Sequence, residues 1–286
     1  MRSHKQLEVT PPIHLPRIFR GGEMNVVSVT GGKGGVGKSS VAVNLALGLK
    51  SLGGRVLLVD GDLGLANADQ LLGVQAPSTM LDVIKGNVQI SEAIIETPWG
   101  ISLLAASSGR KEMAELDAVT MADLVSAIRE IKGKFDLVVI DTAAGIGETS
   151  VGLAQAGDIV LAVITPDPTS VRDGFSIMKI LAKDRGVRRI SLVANMVSSH
   201  AEGVDLFRRI SSVSNRFLPL RLSLGGVIVR DPCMADSVLS RQPAFVAHPG
   251  SFASRQIAKL AAHVVTLNRE LLEHAELSAG EEEPRP

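Results

Sequence analysis

Gly32-Lys33-Gly34-Gly35-Val36-Gly37-Lys38-Ser39 completes the frame GxxxxGK[ST] of a phosphate-binding loop, and it carries two lysines where the frame needs one. Before it, Val26-Val27-Ser28-Val29 reads as a short β-branched strand; after it, Val41, Leu45, Leu49 and Leu52 recur at helical spacing. A glycine-rich turn in that setting can aim successive backbone N–H groups at phosphate oxygens, and the helix start adds a favourable dipole. The expected cradle comprises Gly32, Lys33, Gly34, Gly35, Val36, Gly37, Lys38, Ser39 and Ser40. Lys38 places a charge on the β- and γ-phosphates, and the Ser39 hydroxyl ligates Mg²⁺ directly. None of these tasks needs Lys33, which on the residues alone could be a solvated loop lysine.

Outward from the loop, apolar strand-like runs alternate with helical ones. The runs are 56–60, 101–105, 137–141, 159–164, 190–195 and 227–229; the helical stretches are 36–52, 121–132, 169–184, 202–216 and 251–275. Near-continuous apolar strands separated by helices predict an α/β fold, a doubly wound, mostly parallel sheet with helices on both faces. A chain of 286 residues with 45% hydrophobic content fits one such domain. Its expected limits are 24–276, after a Pro- and Gly-containing flexible arm at 1–23 and before an acidic disordered tail at 277–286.

In such sheets ligands bind at the carboxyl ends of the strands. Asp60, Asp141, Thr165 and Asn195 each follow directly on an apolar run there. Asp141 closes Leu137-Val138-Val139-Ile140, an arrangement that holds Mg²⁺ in phosphate-loop enzymes, here through water. Asp60 and Asp62 lie two apart and project from one face if extended backbone continues; Asp60 is assigned either to Mg²⁺ through water or to a structural role. Asn195 offers adenine a bidentate pair, or is a turn-forming residue at a strand end.

Several function classes are disfavoured. Thirty basic and thirty acidic residues cancel, so no global charge draws the chain to DNA or an anionic membrane. Tyrosine is absent and aromatics make up 3%, too few for a base-stacking platform, and no direct nucleic-acid contact is expected. A partition role would rest on Arg185, Arg188, Arg189, Arg208, Arg209 and Arg216, which also read as a solvated helix face. Cys233 stands alone, which excludes an internal disulfide and the paired cysteines that a metal-cluster carrier needs. The six histidines show no ligand spacing, so Mg²⁺ is expected to arrive with nucleotide. No signal-like N-terminus and no run of ~18 apolar residues is present, and a cytoplasmic location is expected.

The loop GKGGVGKS resembles the deviant Walker A of the MinD/ParA superfamily. DGDLGLANADQLLG (60–73), DTAAGIG (141–147) and VANM (193–196) are similar to the flagellar-number regulators of the FleN/FlhG family, over residues 25 to about 265. The resemblance implies an ATP-dependent homodimer in which Lys33 reaches the partner's nucleotide, with Lys33, Lys38 and Asp62 as catalytic residues and Asp62 orienting the attacking water. It implies that the Gly145 amide senses the γ-phosphate and that slow hydrolysis resets the switch. Its implied partners are a σ54-dependent flagellar master transcription activator and the GTPase FlhF, with a polar or transient inner-membrane location. Two features depart from the family: the end Glu281-Glu282-Glu283-Pro284-Arg285-Pro286 lacks a basic membrane-gripping helix, and no DQA motif is recognisable in 1–23. LGGVIVRDP (224–232) also differs from the family's usual base-side loop, so no base contact is assigned there. The alternative readings are a MinD-like division-site ATPase, which would want the missing basic tail, and a ParA-like partition ATPase.

Overall fold

The computed structural model describes residues 25–64, 67–106, 116–131 and 133–281. Eight strands form one sheet: β1 Asn25–Thr30, β2 Val56–Gly61, β3 Ile94–Glu96, β4 Ser102–Leu104, β5 Leu137–Thr142, β6 Ile159–Ile164, β7 Arg189–Val197 and β8 Arg221–Val229. Their order is β3-β4-β2-β5-β1-β6-β7-β8, and only β3 runs antiparallel to its neighbour. The chain winds leftward from β1 into β2 and later rightward into β6, so the order reverses beside β1. That reversal opens a crevice at the strands' carboxyl ends, where the phosphate loop lies.

Both faces of the sheet are covered, and alternation along each strand decides which residue serves which face. On one side Val27, Val29, Leu58, Val139, Leu161 and Val193 pack beneath α1 (Lys38–Ser51) and α11 (Phe252–Glu281). On the other, Val26, Val59 and Ile140 meet α5 (Ala118–Glu130), while Val160, Ile164 and Leu192 meet α7 (Pro168–Lys183) and α8 (His200–Phe217). The helix α1 is buried on nearly every side, because α11 crosses its outer surface. Asn44, buried within it, donates to Ser40 O at 2.7 Å and accepts from Phe245 N at 2.7 Å, so its amide is met on both sides.

The expected α/β architecture is the observed one. The smaller elements α2 (Ala68–Leu72), α3 (Met80–Ile84), α4 (Ile90–Ala93), α6 (Glu148–Gln155), α9 (Pro232–Ser240), α10 (Ala244–Ala247) and the edge strand β3 were not anticipated. The strand β8 begins at Arg221 rather than 227, since its Leu222 faces the core while Arg221 and Ser223 alternate away and Gly225-Gly226 interrupts the apolar run. The stripe Ile257, Leu260 and Val264 of α11 is buried against α1 and the sheet. That helix runs through Glu281, so the boundary expected at 276 falls inside it; the arm 1–23 and residues 282–286 lie outside the described residues. Among the described residues no helix is long and apolar enough to cross a membrane.

Candidate nucleotide site

The loop leaves β1 at Thr30 and enters α1 at Lys38. Gly37, the residue before the helix, has φ 85°, a left-handed conformation that glycine adopts without a Cβ penalty. A Cβ at Gly32 would fall 1.9 Å from the Asp173 carbonyl oxygen, so the loop's first turn lies against the α7 backbone. No side chain caps α1, and its first turn holds no acidic residue. The orphan N–H groups at that end are therefore open to an external anion.

Behind the loop stand two carboxylates and a lysine. Asp60 and Asp141 are Cα partners on the parallel strands β2 and β5, and both are buried. Asp60 accepts backbone N–H bonds from Asp62 at 3.1 Å and from Asn67 and Ala68 at 3.0 Å. It therefore ties the backbone of Asp62, Asn67 and Ala68 to the end of β2. Neither oxygen of Asp141 has a hydrogen-bond partner. Burial pushes both carboxyl pKa values up; the Asp62 charge adds to the rise at Asp60, where three backbone N–H bonds oppose it, and the Asp60 charge adds to the rise at Asp141. Ser39 and Lys38 lie near enough to Asp141 to favour its ionised form, although the Ser39 hydroxyl makes no hydrogen bond of ordinary geometry to it. Burial lowers the Lys38 pKa, while Asp141 and Asp62 raise it.

An unpartnered buried carboxylate beside a helix-start serine fits a Mg²⁺ ion held by Ser39 and by water on Asp141. Among the described residues no set of three or more His, Cys, Asp or Glu could hold a metal alone. The remaining ligands would be phosphate oxygens and water. Asp62 follows β2 on the same side, half-buried, and its charge is felt at Lys38 and Asp141.

Three expected residues occupy positions the sequence did not predict. Lys33 Nζ pairs with Asp167 of its own chain at 3.1 Å and bonds the Thr169 hydroxyl. Asp167 caps α7, and the Thr169 and Lys33 bonds hold its carboxyl well below the usual carboxylate range. The Gly145 N–H, at φ 99°, donates weakly to Gly31 O at 3.4 Å, which points switch-like backbone at the loop's root. Asn195 lies within β7, and its amide nitrogen donates to Val36 O at 2.8 Å, which braces the loop beside a strand irregularity in β7. The Ser40 carbonyl accepts from the Asn44 amide at 2.7 Å. Asp167 and Thr169 were missed as site residues, although Asp167-Pro168 carries the Asp-then-Pro signature of a helix start. A cleft of about 200 Å³ opens between Lys33, Gly35, Thr165, Asp167, Met196 and Arg230.

Residues 24–184 match the domain family described as AAA domain. Along 231 residues the chain is 42% identical to the antiactivator FleN of Pseudomonas aeruginosa, covering 81% of this chain and 82% of that one. The chain belongs to the FleN/FlhG family of MinD/ParA-like P-loop ATPases. It is also 32% identical over 246 residues to the flagellum site-determining protein YlxH of Helicobacter pylori, covering 86% and 83% of the two chains. Its fold superposes on the septum site-determining protein MinD of Pyrococcus horikoshii OT3, a complex with Mg-ADP, at a TM-score of 0.71 and 26% identity over 84% of this chain and 96% of that one.

The buried carboxylates carry a pH signature. A carboxyl whose folded pKa is raised stays protonated in the folded state while the unfolded chain ionises, so stability falls as pH rises above about 4, the ordinary aspartate range. Asp141→Asn without nucleotide should lose less stability between about pH 5 and about pH 8 than the parent, read by urea unfolding. An unchanged pH slope would mean that Asp141 is not held protonated.

Proposed function

We propose that this chain is an ATP-driven dimerising switch that limits flagellum number by restraining a σ54-dependent transcription activator. The observation that carries this reading is the 42% identity to an antiactivator across four-fifths of both chains. ATP with Mg²⁺ is the cofactor, and the chain hydrolyses ATP. When bound, Mg²⁺ neutralises phosphate charge. In the proposed site the loop N–H groups and Lys38 hold the phosphates, Ser39 and Asp141 position the ion, and Asp62 orients the attacking water. Gly145 exchanges its weak bond to Gly31 for the γ-phosphate, so that the switch loop reports whether the triphosphate is intact.

Lys33 has the decisive role. It must leave Asp167 and Thr169 to reach a second copy's nucleotide, so dimerisation is coupled to breaking a bond inside the subunit. That bond is exposed and costs little to exchange. Exposed Ile146 and Met196 flank the same face and would be covered by the second copy. FlhF is a further partner on family grounds. The packing of α11 on the core leaves its apolar stripe occupied, which favours a switch that works without inserting that helix into lipid. Arg185 and Arg208 are paired with Glu148 and Asp205, which weakens the partition reading.

A MinD-like role in division-site placement is the second reading, favoured by the fold match to the Pyrococcus protein. Deleting the gene and counting flagella per cell separates the two: extra filaments support the antiactivator reading, whereas minicells with normal flagellation overturn it. Lys33→Ala should keep nucleotide affinity and lose ATP-dependent dimerisation. An unchanged dimer in sizing with ATP would remove Lys33 from the interface.

A further inference from the structure

At the end of the sheet opposite the phosphate loop, where β6, β7 and β8 begin, a cleft of about 230 Å³ opens beneath α11. Arg189 and Arg221 are direct Cα partners there, on adjacent parallel strands. Like charges placed opposite one another in a sheet are destabilising, and both side chains line the same cleft. Among the described residues neither guanidinium has a hydrogen bond or an ion pair. Two residues further along the same face, Ser191 and Ser223 share a hydroxyl hydrogen bond of 2.9 Å. Over them hangs His263 of α11, whose Nε2 is buried without a partner. Burial lowers the His263 pKa, which favours the neutral ring, with the Glu270 charge acting in the other direction.

The rest of the lining completes a mixed pocket. Ile159, Val160, Leu267 and Leu271 give it an apolar wall. Of its two carboxylates, Asp158 is already engaged by Arg129 at 3.2 Å and by Val26 N at 2.8 Å, and Glu270 stands exposed on α11. Two uncompensated guanidiniums against one remaining carboxylate leave the cleft positive. Both guanidiniums are exposed, so water screens their repulsion, whereas the His263 Nε2 is buried without a partner; one oxyanion could pair with all three groups.

We propose that this cleft binds a small amphiphilic anion, whose phosphate or carboxylate oxygens bridge Arg189 and Arg221 and meet His263 while its apolar body rests on Leu267 and Leu271. Guanidinium forks match both kinds of oxyanion, and charge assistance strengthens such bonds. The proposal does not depend on the switch reading, since no residue of the cleft belongs to the nucleotide site.

The test uses full-length protein saturated with ADP and Mg²⁺, so that the phosphate loop is already filled. The His263 ring resonances, assigned by their loss in His263→Gln, are followed by NMR during titration with inorganic phosphate, with glycerol phosphate and with hexanoate. A saturable shift with a phosphate probe or with hexanoate is expected, and the stronger of the two identifies the head group. The double variant Arg189→Gln/Arg221→Gln, which removes a repulsive pair and should stay folded, is expected to bind at least about tenfold more weakly, as for the loss of a charge-assisted bond. Arg189→Lys should fall between. Absence of saturation with every probe, a shift reproduced by sodium chloride, or undiminished binding in the double variant would overturn the proposal.

Discussion

Two aspartates buried side by side at the carboxyl ends of adjacent parallel strands, with one lysine to compensate them, set the terms for the rest of the molecule. The register that pairs Asp60 with Asp141 is set by two fully buried strands packed in parallel, so the carboxylates cannot be moved apart without disturbing the core. Asp60 is satisfied by three backbone N–H groups. Asp141 is not, and the cost of an unmet buried carboxylate is what a nucleotide-bound cation can relieve. Ligand binding and local stability are thereby joined at a single residue.

The same crevice explains why the loop lysines differ. Lys38 is drawn inward by Asp141 and Asp62 and is buried with Asp141. Lys33 sits at the loop's outer edge, held by a carboxylate that already caps α7. One lysine is therefore fixed inside the crevice and the other is held at its rim. The ion pair that the proposed switch would exchange is half-exposed, and such pairs cost little to break.

The phosphate loop, the parallel sheet and the residues at its carboxyl ends were legible because each rests on a local pattern: glycine spacing, an apolar run, or an acidic residue at its end. Long-range contacts were not. Nothing within a few residues of Lys33 announces Asp167, which arrives 134 residues later from the carboxyl end of β6, the strand beside β1. Asn195 had two sensible local readings, and its bond to Val36 O, made because β7 lies beside the loop, belongs to neither. The strand β3 and helix α6 escaped because three residues, or eight with a central glycine, carry too little periodicity. The lower half of β8 was hidden by Arg221 and Ser223, which alternate away from the core onto the face that lines the anion cleft.

Small-angle scattering of Asp62→Ala at saturating ATP and Mg²⁺ tests the account most directly, because hydrolysis would no longer dissolve whatever assembly the triphosphate supports. Two copies closed over their nucleotides are predicted, with a mass twice that of the ADP-bound protein. A particle that keeps the mass of one chain would contradict it.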